Sequence, residues 1–260
     1  MKMLAIVLAM QAAVATSQSN PADRVLCPPA WLDSIVYYRS FDAPDGKPEM
    51  NRDGLRVTEM VDICDDGFHR GCGAPAAKSR SRQQIALTSD GAALSPHHPM
   101  TISIWWAAPE DVPTQGGFGL IHLGGRGIVS HFVHGGAGGW CGLKESAAVL
   151  QIYYLPGITN VNGIYNYKLH DTLGLKKNQW HHTAMVVSGA SLVSIYTDGK
   201  LAYETRTSGR TFSPDDKFNT LRLGGGVLLD EVMVLDRPLP AGEIAEYVTA
   251  MRQMREAYGK

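Results

Sequence analysis

The tightest constraint on this chain is the shortness of its apolar runs. Alternating or apolar stretches recur at Ile35–Phe41, Gln84–Thr88, Met100–Ala107, Gly119–Leu123, Ile128–Val133 and Ala148–Tyr154. They continue at Gly163–Tyr167, His181–Val187, Leu192–Thr197, Lys200–Thr205, Thr220–Leu223 and Leu228–Leu235. Gly, Pro, Asn and Asp separate them, and close spacing of this kind predicts an all-β sandwich or barrel. Within SIYTDGKLAYE, Asp198-Gly199 can supply the positive φ angles of a tight primed turn. Ser188-Gly189-Ala190-Ser191 joins the preceding strand to that hairpin, so three successive strands are expected to form a meander. Helical spacing occurs once, at the C-terminus: Pro240 and Glu243 suit a helix start, and Ile244, Tyr247, Val248, Met251 and Met254 form an apolar stripe.

The N-terminus has a different logic. Lys2 precedes an almost continuous apolar run, Met3 to Val14, followed by small residues suited to cleavage. This predicts a signal peptide over residues 1–19 and a single exported domain over residues 20–260, which is secreted, periplasmic or on the cell surface. No later run approaches the roughly 18 apolar residues of a membrane span. The formal net charge of −1 offers no general basic face for nucleic acid. Four cysteines, Cys27, Cys64, Cys72 and Cys141, favour disulfides in an exported chain and leave the connectivity open. Cys64 and Cys72 enclose only the polar loop DDGFHRG, so they are expected to pair, leaving Cys27 with Cys141. No C-x-x-C spacing supports a zinc site. The stretch from Asp42 to Asp66 is acidic and lacks periodicity, and is expected to be a long surface excursion.

The runs NQWHHTAMVVSGASLVSIYTDGKLA and LRLGGGVLLDEVMVLDRPLPAGEIAEYV resemble the LamG-like members of the concanavalin A-like lectin/glucanase superfamily. The resemblance rests on a W-x-H-x-A strand (Trp180, His182, Ala184), a DG hairpin (Asp198, Gly199), a DEV strand (Asp230, Glu231, Val232) and a following R-x-L-x-x-x-E-I (Arg237, Leu239, Glu243, Ile244). HPMTISIWW (His98 to Trp106) and VYYRSFD (Val36 to Asp42) resemble earlier strands of the family, in the right order. The resemblance implies a jelly-roll sandwich of two antiparallel sheets, one of them concave; the C-terminal apolar stripe is expected to pack against the sandwich or cover its end. The segments from Asp45 to Arg82 and from Gly116 to Gly142 depart from the family pattern, and loops of that kind are where individual function tends to sit.

The chemistry-bearing residues divide by the same geometry. Adjacent side chains on a strand point to opposite faces, so His181 and His182 cannot share a metal ion. His182, with Ala184 and Val186, is expected to be a packed, hydrogen-bonded structural histidine. The run GGFGLIHLGGRGIVSHFVHGGAGGWCGL has glycines that would let a ligand approach the backbone, with His134 and Trp140 at the rim. Paired tyrosines and tryptophans on strands leave one ring of each pair facing outward, so Trp106 and Tyr154 are candidate sugar-stacking rings. No paired-carboxylate strand of the glucanase form E-x-D-x-x-E is present. Glu59 and Asp62 lie in the acidic excursion, Asp230 and Glu231 are adjacent and expected to diverge, and Glu243 and Glu246 lie on the helix. No G-x-S-x-G elbow occurs either. The resemblance makes Asp42 and Asp230 candidate ligands for calcium, although the spacing D-x-D-x-D-G is missing. The sequence therefore predicts a non-catalytic recognition module that binds carbohydrate at the concave sheet or adjoining loops, its partner a glycan or another cell-surface component. The alternatives are an adhesion module that binds protein and a divergent glycoside hydrolase.

Overall fold

The computed structural model of the chain describes residues 31–41, 47–52, 54–59, 61–64, 72–75, 84–90, 94, 98–107, 118–123, 126–133, 148–153, 166–168, 176, 178–188, 192–206, 220–224 and 227–258. The expected signal peptide lies outside these residues. In chain order the strands begin with β1 (Ile35–Arg39), β2 (Met50–Asn51), β3 (Arg56–Glu59), β4 (Val61–Cys64), β5 (Cys72–Pro75) and β6 (Gln84–Thr88). They continue with β7 (Met100–Ala107), β8 (Phe118–Leu123), β9 (Arg126–Val133), β10 (Ala148–Tyr153) and β11 (Asn166–Lys168). The last strands are β12 (Trp180–Val187), β13 (Leu192–Thr197), β14 (Lys200–Arg206), β15 (Thr220–Gly224) and β16 (Leu228–Leu235), before helix α1 (Ala241–Tyr258).

All the pairings are antiparallel and form two sheets, as alternation and the family resemblance led us to expect. A nine-stranded sheet runs β14-β13-β12-β7-β16-β1-β2, with β5 also on β16 and β4 on β5. A seven-stranded sheet runs β11-β10-β9-β8-β15-β6-β3. The meander β12-β13-β14 forms as expected, and its hairpin turns at Asp198 (φ 51) and Gly199 (φ 80), the pair of left-handed residues a type I′ turn needs.

The acidic stretch departs from expectation. It is not a plain excursion, because β2, β3 and β4 lie within it. Val57 of β3 packs against the core while Arg56 and Thr58 are exposed, so a strand with one buried position is enough to extend the seven-stranded sheet beside β6. The hairpin β4–β5 places position 64 opposite position 72 in register. The two cysteine side chains lie outside the described residues, as do Cys27 and Cys141.

Two cores stabilise the fold. The first lies between the sheets and includes Ile85, Leu87, Ile102, Trp106, Met185, Leu221, Leu223 and Val234. The second lies on the outer face of the nine-stranded sheet, where Tyr38, Trp105, Ala184, Val186, Tyr196 and Met233 meet Ile244, Tyr247, Val248, Met251 and Met254 of α1. The expected helical stripe is therefore buried as a unit, each large apolar side chain contributing about 1.5–3 kcal/mol.

The family motif R-x-L-x-x-x-E-I acquires a physical meaning at the entry to this helix. Arg237 donates to Glu243 at 2.5 Å, Leu239 and Ile244 are buried, and Thr101 of β7 ties the connection down from both sides. Its hydroxyl donates to the Arg237 carbonyl at 2.8 Å and accepts the Leu239 amide N–H at 2.8 Å.

The hairpin turn and the helix also touch. A Cβ built on Gly199 would lie 3.3 Å from the Ala245 Cα of α1, and the backbone there is left-handed, which costs an L-residue about 1–2 kcal/mol. Gly54 is left-handed too (φ 59), but a Cβ there would meet nothing within 4 Å. Urea denaturation of Gly199→Ala is expected to show a loss of about 1–3 kcal/mol, and more than Gly54→Ala. Equal losses would mean the helix does not press on the turn.

Candidate functional site

The polar groups beneath the helix must be understood before the surface, because several resemble a catalytic cluster. His182 is 1% exposed, and its Nε2 shares a hydrogen bond with Ser103 Oγ at 2.8 Å. Its ring packs against Trp105 and Tyr247 at centroid distances of 5.3 and 5.4 Å. This is the packed structural histidine that the W-x-H-x-A pattern predicts. Its Nδ1 has no hydrogen-bond partner among the described residues.

Next to it, Tyr38 donates to the Glu231 carboxylate, and Glu231 is fully buried with φ 49. The expectation that Asp230 and Glu231 diverge is corrected here. Leu229 and Val232 both face the inter-sheet core, and the register against β7 slips between Asp230 and Met233. A bulge therefore inserts both acids between two core-facing positions. Asp230 Oδ1 accepts the amide N–H of Glu231 at 2.8 Å. Burial first, and then the Glu231 charge, raises both Tyr38 and Tyr247 well above the ordinary phenol value. Tyr38, Asp230, Glu231 and Tyr247 are all buried, with Tyr38 and Tyr247 in the core beneath the helix.

The second histidine does more than alternation foretold. His181 is buried on the inter-sheet side, and its Nδ1–H donates to Asp198 Oδ2 at 2.9 Å while the Lys176 amide donates to its Nε2 at 3.1 Å. Asp198 also accepts the His182 amide at 2.9 Å and pairs with Arg252 of α1 at 2.9 Å. Burial alone would raise the Asp198 carboxyl. The His181 and His182 hydrogen bonds and the His181 and Arg252 charges outweigh it and leave the group below its ordinary value. One carboxylate thus joins hairpin, strand and helix. The sequence marked Asp198 only as a turn residue, and nothing local in the motif signals the Arg252 contact.

What remains is the outer face of the seven-stranded sheet. Leu221 and Leu223 of β15 and Ile85 and Leu87 of β6 point into the core, so alternation turns Thr220, Arg222, Ala86 and Thr88 outward. Ala86 lies between Arg222 and Thr58 in register, and Thr88 between Thr220 and Arg56. Arg56, Thr58 and Arg222 are exposed, and Ala86, Thr88 and Thr220 half-buried. At the rim, Arg56 pairs with Asp90 at 2.7 Å. This face, lined by short neutral side chains and arginines, is the candidate binding surface.

Of the residues singled out from the sequence, Trp106 is corrected. It is 0% exposed, lies in the inter-sheet core against His181 at 5.3 Å and donates its indole N–H to Thr183 Oγ1 at 2.9 Å. Trp105 does point the other way, but α1 covers it, so neither ring offers a face to a sugar. His134, Trp140 and Tyr154 lie outside the described residues. So does Asp42, one of the two candidate calcium ligands. Asp230 is 1% exposed, and among the described residues no group of three or more His, Cys, Asp or Glu clusters around it or elsewhere. The described residues therefore do not by themselves make a calcium site.

Burial sets a pH signature on His182. It lowers the ring from 6.5 to about 3; the Asp198 charge opposes the shift and that of Arg252 adds to it. An unfolded ring takes up a proton below about 6.5, while the native one does not until about 3. The unfolded state therefore binds more protons in that window, and stability falls by about 1.4 kcal/mol per pH unit as pH drops through it. Urea denaturation from about pH 7.5 to about pH 5 should show this slope in the native sequence and a shallower one in His182→Gln. Equal slopes would place the acid sensitivity elsewhere.

No curated protein matches the chain in sequence. Among solved structures, it is similar to domain 4 of AbnA, a GH43 extracellular arabinanase from Geobacillus stearothermophilus, in complex with arabinotriose. The TM-score is 0.55 at 16% identity, covering 83% of this chain and 98% of that one. It is also similar to the binding domain of paraclostridial mosquitocidal protein 1 (TM-score 0.54, 16% identity, 83% of this chain and 52% of that one). A third similar structure is the ligand binding domain of botulinum neurotoxin serotype D in complex with N-acetylneuraminic acid (TM-score 0.55, 10% identity, 84% and 51%). The chain spans about half the length of the two toxin domains, and at these identities the likeness is one of fold. The family model Laminin_G_3 matches residues 80–245, from the start of the β6 region into α1. With the W-x-H-x-A strand, the DG hairpin and the Arg237–Glu243 clamp all in place, the chain belongs to the Laminin_G_3 family of the concanavalin A-like lectin/glucanases superfamily.

Proposed function

We propose that this chain is an exported, non-catalytic recognition module that binds glycan on the outer face of its seven-stranded sheet. The observation that carries the reading is the inequality of the two outer sheet faces. Helix α1 covers one with a full second core, while the other carries exposed Thr58 and Arg222 and half-buried Ala86, Thr88 and Thr220 along three paired strands. A row of short side chains leaves room for an extended ligand to lie across the strands, with hydroxyls and a guanidinium to hold sugar oxygens. The arabinotriose and N-acetylneuraminic acid complexes of two similar structures support a sugar as the ligand class.

A glycosidase would need two carboxylates about 5–10 Å apart in an accessible cleft. The adjacent acids Asp230 and Glu231 are instead sealed beneath the helix, which favours binding without hydrolysis. Export would follow from the N-terminal signal pattern, and the crosslinks Cys64–Cys72 and Cys27–Cys141 would then form. Calcium belongs to the proposal only as a condition of assay, with Asp42 and Asp230 its sequence candidates.

A glycan array probed with and without calcium tests the reading, together with Ala86→Trp, which places a bulky ring in the middle of the face. The native chain is expected to bind a defined set of glycans and Ala86→Trp to lose them by about tenfold or more, while Leu201→Arg, on the exposed edge strand β14, leaves binding unchanged. Binding unaffected by Ala86→Trp, or no glycan bound in either condition, would overturn the assignment.

A further inference from the structure

The charges on the open face are not equivalent. Arg56, on the edge strand β3, is matched by Asp90 at 2.7 Å. Arg222 sits on β15, between β8 and β6 and so inside the sheet rather than at its edge. Its guanidinium is exposed and makes no hydrogen bond or ion pair with any described residue. Its cross-strand neighbour on β6 is Ala86, and beyond that in the same row lies Thr58. Its neighbours along the strand on the same face are Thr220 and Gly224, the latter with φ 118 and no side chain at all. No described carboxylate occupies this row. On its other side the register partner is His122 of β8, whose side chain lies outside the described residues; toward β6 and along its own strand the exposed guanidinium has only Ala, Thr and Gly beside it, an arrangement that suits bidentate capture of a planar anion.

We propose that the open face is selective for acidic glycans, with Arg222 as the residue that holds a carboxylate or sulfate group of the sugar. The proposal rests on the glycan-binding reading above and adds to it the charge of the ligand and the side chain that reads it. Ala86 and Thr58 form the floor on which the sugar ring lies, and Arg222 fixes its register by the acidic substituent. Arg56, already matched by Asp90, contributes long-range attraction and little discrimination. Lysine at position 222 would keep the charge and lose the fork, so the two chemistries separate by substitution.

The test compares the native chain with Arg222→Gln and Arg222→Lys by titration calorimetry. The probes are an oligogalacturonide, its carboxyl-reduced neutral counterpart and a sulfated oligosaccharide of similar length. The native chain is expected to prefer an acidic probe over the neutral one by about tenfold or more. Arg222→Gln should abolish the preference while keeping whatever neutral binding exists, and Arg222→Lys should restore only part of it. Preference for the uronide or for the sulfated sugar then identifies the substituent. Because Arg222 is exposed, thermal unfolding of each variant should match the native chain. Equal affinity for acidic and neutral probes, or a preference that survives Arg222→Gln, overturns the proposal. If Ala86→Trp still blocks neutral glycans in that case, the glycan reading itself stands; if no probe and no array glycan binds, both fall.

Discussion

The structure depends on covering one sheet face with one helix. The nine-stranded sheet is apolar on both sides, because β7, β12 and β16 are buried along almost their whole length. Trp105, Tyr38 and Met233 on the outer side would otherwise face water, together with the buried carboxylate of Glu231. Helix α1 closes that side and converts a two-layer sandwich into three layers. The paired histidines His181-His182 and the paired acids Asp230-Glu231 both fall on the sheet that the helix covers.

The polar groups under the helix explain why it docks in one place. An apolar stripe alone could slide along an apolar sheet face at small cost. Arg252 on Asp198, Arg237 on Glu243, and Thr101 bonded on both sides of the connection fix its position at both ends. Asp198 matters most of these, since the same carboxylate holds the His181 ring and the His182 amide. The hairpin, the central strand and the helix therefore share one acceptor. The bulge at Asp230-Glu231 is a second such device. It turns Glu231 toward Tyr38 at the expense of a left-handed residue, and a buried carboxylate bonded to a phenol is tolerated where an unbonded one would not be.

Much of this was legible in the residues, and the failures have definite causes. Short alternating or apolar runs located β6, β7, β13 and β16 to the residue, because those strands are bounded by turn formers and packed on at least one side. The stripe Ile244–Met254 was legible for the same reason at the helical period. Alternation could also say that Trp105 and Trp106 diverge, but not that a helix more than a hundred residues later in the chain covers the outer ring. Nor does alternation say which of the two rings faces the other sheet, and Trp106, the expected ligand platform, is that one. The bulge escaped because nothing in DEV announces a positive φ at a glutamate. Strand β3 escaped because one inward valine between exposed polar residues is too weak a period to see. The open face itself was within reach: Arg56-Val57-Thr58, Ala86-Leu87-Thr88 and Thr220-Leu221-Arg222 each read polar or small on one side and apolar on the other. These positions carry no aromatic ring, the feature on which the sugar-stacking candidates Trp106 and Tyr154 rested.

On the proposed reading the two faces of the fold divide their roles, one spent on a second core and the other used for recognition. A crystal structure of the chain with a bound oligosaccharide tests that division most directly. The account predicts ligand density lying across β3, β6 and β15, over Ala86 and within hydrogen-bonding reach of Arg222, with α1 undisplaced on the opposite sheet. Density on the helix-covered side, or α1 displaced to admit the sugar, would contradict it.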